Sequence, residues 1–86
     1  MSRSKLEICM DILAALASGG PLKFTNVRQK ANYHANDLKR YLDFLEKNGF
    51  ISRIIVKQKW TGYLLTRKGK DVLRRFSDLK KLFALA

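Results

Sequence analysis

Residues 63–70 read Tyr-Leu-Leu-Thr-Arg-Lys-Gly-Lys, and their reading decides the fold. Tyr63 and Leu65 share one face of a strand, and Thr66 then stands where a helix N-cap belongs. Gly69 follows within the first helical turn. Glycine there costs roughly 0.8–1.0 kcal/mol relative to alanine, so it points to something packed close against the backbone. Arg67, Lys68 and Lys70 make this junction strongly basic.

Working outward, the strand needs a partner. Residues 50–57, FISRIIVK, are rich in β-branched side chains and read as that partner. A basic turn over 58–62 joins the two strands, with Trp60 as its one aromatic. Downstream, a helix is expected over 67–85.

Upstream, the pattern is helical. Ser4 opens a capping box with Glu7, and Ile8, Cys9, Ile12, Leu13 and Leu16 cover one face of a first helix. Gly19, Gly20 and Pro21 stop it, so its last residue is expected at Ser18. A short second helix is expected to start at Thr25 as its cap and to end near Ala31. The third helix is expected over 35–48, with Leu38, Leu42 and Leu45 buried, Tyr41 beside them and Gly49 as a left-handed C-terminal stop. Phe44 lies off that stripe and is expected to pack under the following strand.

The order is helix, helix, helix, strand, turn, strand, helix. Helices two and three, separated by a short turn, have the form of a helix-turn-helix, and the hairpin after them has the form of a wing. The predicted class is α+β, mostly helical, in a single domain over 1–86, with the last helix over 67–86 set apart for dimerisation.

Charge points to the partner. Eighteen Lys and Arg against seven Asp and Glu give a formal net charge of +11 over 86 residues. Between Arg53 and Arg75, eight cations face Asp71 alone. Such a field attracts phosphate polymers and anionic surfaces, though small basic proteins also use it for solubility. Cys9 is the only cysteine and falls at core spacing, which excludes a disulfide within the chain and a thiolate metal cluster. Glu7 and Asp11 interrupt the apolar run near the N-terminus, so no secretory signal is expected. The uncharged run over 12–22 is about 11 residues, far too short to span a bilayer.

Candidate contacts follow from this frame. Asn36, Arg40, Asp43 and Lys47 lie opposite the buried stripe of helix three, with Lys39 beside them. A helix fits the DNA major groove, where Asn pairs with adenine and Lys or Arg pairs with guanine or phosphate. Asp43 is read as an internal partner of Lys39 or Lys47, and a solvated face with such ion pairs is the plain alternative. Lys57 and Lys59 at the wing suit phosphates or the minor groove, or simply protect an edge strand. Trp60 either covers the core or stacks on a nucleotide. Tyr33, as a second stacking ring, and His34, as a turn residue or a phosphate contact, precede helix three. Thr25, Arg28 and Lys30 could hold a phosphate at helix two.

The last helix carries Gly69, Val72, Phe76, Leu79 and Phe83 at alternating three- and four-residue spacing, widened by Leu82 and Leu85. That is the pattern of a coiled-coil seam, and its second half outruns the domain that could cover it. Phe76, Leu79, Leu82 and Phe83 are therefore candidate dimer contacts, with folding back onto helix one as the alternative. About two heptads are too few to fix strand orientation. No catalytic motif is present, and neither a cofactor, a metal, a membrane nor a small-molecule ligand is expected.

Residues 30–51, KANYHANDLKRYLDFLEKNGFI, and 63–83, YLLTRKGKDVLRRFSDLKKLF, resemble the small archaeal winged-helix proteins of the chromatin-associated ten-kilodalton type and related archaeal regulators. The matching signatures are Ala31-Asn32, the run Leu38 to Leu42 and the run Thr66 to Gly69. The resemblance implies a dimer joined through the last helix as an antiparallel coiled coil, with two winged heads on double-stranded DNA. It also implies a cytoplasmic, nucleoid-associated protein. On this resemblance the coiled coil would be shorter here than in longer members, and His34 stands where a helix-capping serine is common. A winged-helix module that docks on the transcription machinery, and an RNA-binding winged helix, are the competing readings.

Overall fold

The computed structural model describes residues 4–31 and 37–85. The elements run α1 (Lys5–Leu16), α2 (Phe24–Lys30), α3 (Leu38–Lys47), β1 (Ile51–Val56), β2 (Trp60–Leu65) and α4 (Arg67–Leu85). This is the winged-helix order read from the sequence: three helices, a two-stranded antiparallel wing and a long last helix.

Helix α1 is capped as its sequence requires. Ser4 Oγ accepts from the Glu7 amide at 3.1 Å, and the Ser4 amide donates to Glu7 Oε1 at 3.0 Å. The helix ends at Leu16, two residues before Ser18, whose hydroxyl instead donates to the Ala15 carbonyl at 2.8 Å. Ile12, Leu13, Val27, Leu38 and Leu42 are all fully buried at 0 % exposure and form the centre of the core.

Helix α2 corrects one expectation. It starts at Phe24 with Lys23 as its N-cap, so Thr25 lies inside the first turn and caps nothing. The reason is an extra pairing: Leu22 and Tyr63 exchange backbone hydrogen bonds of 3.1 and 2.9 Å as an isolated bridge. The chain leaves the sheet at Leu22, so the helix begins where Phe24 can turn into the edge of the core.

The C-terminus of α3 closes as a Schellman motif. The Phe50 amide donates to the Leu45 carbonyl at 2.9 Å, the Gly49 amide donates to the Glu46 carbonyl at 3.0 Å, and Gly49 takes φ of 80°. Leu38, Leu42 and Leu45 are buried as expected. Phe44 is not under the following strand; it is 54 % exposed. Its angular position turns it away from Leu42 and Leu45, and Phe50, half-buried, packs against the core instead.

The wing also differs from expectation at its tip. The turn spans residues 57–59 rather than 58–62, and the ladder runs from Ile51 opposite Leu65 to Val56 opposite Trp60. Lys57 and Gln58 hold φ of 54° and 57°, which reverses the chain early, so Trp60 to Gly62 join β2. Each left-handed non-glycine residue costs about 1–2 kcal/mol.

The junction over 63–70 is the clasp of the fold. Thr66 Oγ1 accepts from the Gly69 amide at 3.0 Å and donates to the Gly49 carbonyl at 2.6 Å. The Thr66 amide donates to the Phe50 carbonyl at 3.1 Å. Lys68 Nζ donates to the Asn48 carbonyl at 2.8 Å and lies 4.8 Å from the centre of the Phe50 ring. A Cβ on Gly69 would collide with the Phe50 carbonyl oxygen and sit 2.7 Å from Leu65 Cδ1. The start of α4 is thus locked onto the end of α3. No helix among the described residues is long and apolar enough to cross a membrane.

Candidate nucleic-acid interface

Helix α3 carries a polar outer face whose charges are mostly paired. Lys39 pairs with Asp43 at 3.6 Å, and Arg40 pairs with Asp37 at 3.4 Å. From β1, Arg53 reaches back to Glu46 at 2.5 Å and Asp43 at 3.9 Å. The hydrogen bond to Glu46, then its charge, raises the Arg53 pKa. Lys47 is exposed and has no ion-pair partner among the described residues. The Asp43 to Lys39 pair matches the spacing argument, whereas the Arg53 pairs join residues brought together only by the turn after α3. Asn36, Tyr33 and His34 lie outside the described residues.

The unpaired cations lie elsewhere. Lys57 and Lys59 stand exposed at the wing tip, on either side of Gln58. Arg28 is exposed on α2, while Lys30 Nζ donates to Ser18 Oγ at 3.1 Å. Thr25 is exposed, with its hydroxyl 3.4 Å from Asn26 Oδ1. At the start of α4, Arg67 and Lys70 are free of ion pairs among the described residues, but Arg74 and Arg75 both hold Asp71, at 2.7 and 3.0 Å. Lys68 belongs to the clasp.

Trp60 is half-buried at the base of the wing tip, paired across the hairpin with Val56. Lys23 Nζ lies 5.1 Å from its ring centre. One ring face is therefore taken by a cation from the start of α2, which leaves less of the ring for a nucleotide. Sequence reasoning missed Lys23, because its contact with Trp60 is made by the bridge between Leu22 and Tyr63 and by no local spacing.

The tail of α4 runs beside α1. Leu73, Phe76, Ser77, Lys80 and Ala84 line a groove with Met10 and Ala14. Phe76 is half-buried against the core, with Lys80 Nζ 5.7 Å from its ring centre. Leu79, Leu82 and Phe83 remain 53 %, 64 % and 78 % exposed. Packing against α1 thus covers one side of the tail and leaves an apolar strip on another.

Known proteins resemble this chain in sequence and in fold. An uncharacterised protein of Methanocaldococcus jannaschii, MJ0287, is 34 % identical over 83 residues, covering 96 % of this chain and 76 % of its own length. Sso10a-2, a DNA-binding protein from Sulfolobus solfataricus, superposes with a TM-score of 0.75 at 25 % identity, over 95 % of this chain and 86 % of that one. A MarR family transcriptional regulator from Silicibacter pomeroyi gives 0.80 at 27 % identity, over 91 % of this chain. The chain spans 53 % of that regulator's length. The winged helix-turn-helix family, whose fold is non-enzymatic, matches residues 2–84. The chain belongs to the winged helix-turn-helix family.

Proposed function

We propose that this protein binds double-stranded DNA as a homodimer, as a transcriptional regulator or an architectural chromatin protein. The observation that carries the reading is the winged helix-turn-helix itself, with unpaired cations at Lys47, Lys57 and Lys59 on its helix and wing. Its structural relatives include an archaeal DNA-binding protein and a transcriptional regulator. Helix α3 enters the major groove, presenting Lys39, Arg40 and Lys47, and the wing lies along the backbone or minor groove. Lys39 and Arg40 exchange their carboxylate partners for phosphates or base edges. Exposed pairs of this kind are worth about 0.2–1 kcal/mol each, so the exchange is cheap. Asn36, Tyr33, His34, Thr25, Arg28 and Lys30 complete the contact set.

The apolar strip of Leu79, Leu82 and Phe83 supports dimerisation, since a helix tail with three large exposed side chains gains by pairing with a second copy. Phe76 joins the base of that interface, and an antiparallel arrangement of the two tails places the winged heads at opposite ends.

One observation favours a second reading. The ion pairs leave the α3 face close to neutral, and Phe44 stands exposed on it, a surface suited to docking on another protein. Competition at fixed salt among duplex DNA, single-stranded DNA and duplex RNA of one sequence separates the possibilities. Preference for duplex DNA supports the proposal. Preference for RNA, or no binding to any nucleic acid, refutes it.

A further inference from the structure

One arginine from outside the helix-turn-helix holds two of the carboxylates on α3. Arg53, on β1, meets Glu46 with two donors: Nη2 donates to Oε1 at 2.5 Å and Nε to Oε2 at 3.4 Å. The same Nη2 lies 3.9 Å from Asp43 Oδ1, while Lys39 Nζ lies 3.6 Å from the other oxygen, Asp43 Oδ2. Asp43 is therefore shared between a cation of α3 and a cation of β1. Among the described residues, the pair of Arg53 with Glu46 is the most covered ion pair that α3 makes.

These carboxylates oppose duplex binding. On α3 and its N-cap, Lys39, Arg40 and Lys47 stand against Asp37, Asp43 and Glu46, so the cations bring no surplus of their own. Asp37 is accommodated locally, because it stands at the N-cap, where the helix dipole favours an anion. Glu46 lies in the last turn, where the dipole disfavours one. Asp43 depends on Lys39, the residue that duplex binding draws away. Once Lys39 turns to a phosphate, Arg53 is the cation left beside Asp43 among the described residues.

We propose that Arg53 is a positioning residue for duplex binding: it holds Asp43 and Glu46 toward β1 and cancels their charge, so that phosphates can approach α3 when Lys39 is drawn away. A guanidinium suits this task, since its planar fork meets a carboxylate with two donors and stays charged at any working pH. Arg53 acts through the two carboxylates and not by touching DNA. The inference rests on the duplex-binding reading and deepens it.

A mutant cycle tests it on a mixed-sequence duplex of about 20 bp, long enough for two half-sites. Fluorescence anisotropy at fixed salt compares wild type, Arg53→Gln, Asp43→Asn with Glu46→Gln, and all three substitutions together. Arg53→Gln should weaken binding about tenfold, because two uncompensated carboxylates then face the DNA backbone. The carboxylate variant should bind at least as tightly as wild type. In that background Arg53→Gln should cost about threefold at most, the share of general attraction to the duplex. Equal losses in both backgrounds would mean that Arg53 meets phosphate itself. A carboxylate variant as weak as Arg53→Gln would mean that the pairs serve only to hold β1 on α3. Wild-type affinity in Arg53→Gln would make the residue a bystander. Each of these three results overturns the inference. Melting temperatures of the four proteins should agree within about 8 °C, since the pairs are partly exposed. Should Arg53→Gln fail to fold, the carboxylate variant still decides: binding at least as tight as wild type supports the inference, and weaker binding overturns it. Wild-type protein that binds no duplex refutes the duplex-binding reading, and this inference with it.

Discussion

Replacing Gly69 with alanine sets two effects of opposite sign against each other. Helix propensity alone favours alanine by roughly 0.8–1.0 kcal/mol, since Gly69 lies inside the first turn of α4. The packing opposes it. The new methyl group would overlap the Phe50 carbonyl oxygen and crowd Leu65 Cδ1 at 2.7 Å, with the Phe50 carbonyl carbon at 3.1 Å. A side-chain tip could give way, but that carbonyl is backbone and accepts the Thr66 amide hydrogen bond. To make room, α4 must move off the end of α3. That movement loosens the Thr66 bonds to Gly69 and Gly49 and the Lys68 bond to Asn48. Overpacking costs about 1–3 kcal/mol, and loss of a cap about 1 kcal/mol more. After the propensity gain is subtracted, a net loss of about 1–3 kcal/mol remains. For a domain of this size that lowers the melting temperature by roughly 5–25 °C. Thermal unfolding followed by circular dichroism measures it. An alanine variant that melts at or above the wild-type temperature would show that propensity prevails and that the clasp is not a close contact.

Other expectations follow from the same contacts. Thr66→Ala removes a cap and a cross-link to Gly49 together, and should cost about 1–2 kcal/mol in denaturant unfolding. Lys39→Ala with Arg40→Ala should weaken duplex binding at least tenfold while shifting stability by under about 1 kcal/mol, because both pairs are exposed. Leu79→Lys with Phe83→Lys should yield monomers in sedimentation equilibrium; a variant that stays dimeric places the interface elsewhere. Burial pushes the Cys9 thiol pKa up, so a thiol reagent near neutral pH should label the native protein far more slowly than the unfolded chain. The rate should rise with pH, since a raised pKa delays formation of the reactive thiolate.

The parts of this structure that could be read in the sequence are those set by local chemistry. Ser4 and Glu7 announced α1, the Leu38, Leu42 and Leu45 stripe set the inward face of α3, and Thr66 with Gly69 marked a cap and a close approach. The differences come from contacts made at long range and from one turn that lacks its usual residue signals. Thr25 looked like a cap because nothing local foretold the Leu22 to Tyr63 bridge that starts α2 earlier. The wing turns earlier than its sequence signals, because Lys57 and Gln58 are not the residue types that usually mark left-handed backbone. The neutral face of α3 was also hidden. Spacing showed the link between Lys39 and Asp43, but Arg53 reaches Glu46 only after the chain has turned into β1. The basic character legible in the composition is real, yet the fold sends much of it to internal partners. Lys68 closes the end of α3, and Arg74 and Arg75 share Asp71.

Duplex DNA affinity measured as a function of salt tests the central claim most directly. Arg28, Lys47, Lys57 and Lys59 are the exposed cations of α2, α3 and the wing with neither an ion pair nor a side-chain hydrogen bond among the described residues. Phosphate contacts by these four in one head, or in both heads of a dimer, give a slope of log affinity against log salt between about −3 and −7. A slope in that range, lost in a Lys57→Ala and Lys59→Ala variant by about two units per head, is the predicted result. Affinity that is absent, or that does not change with salt, contradicts a winged helix that grips the DNA backbone.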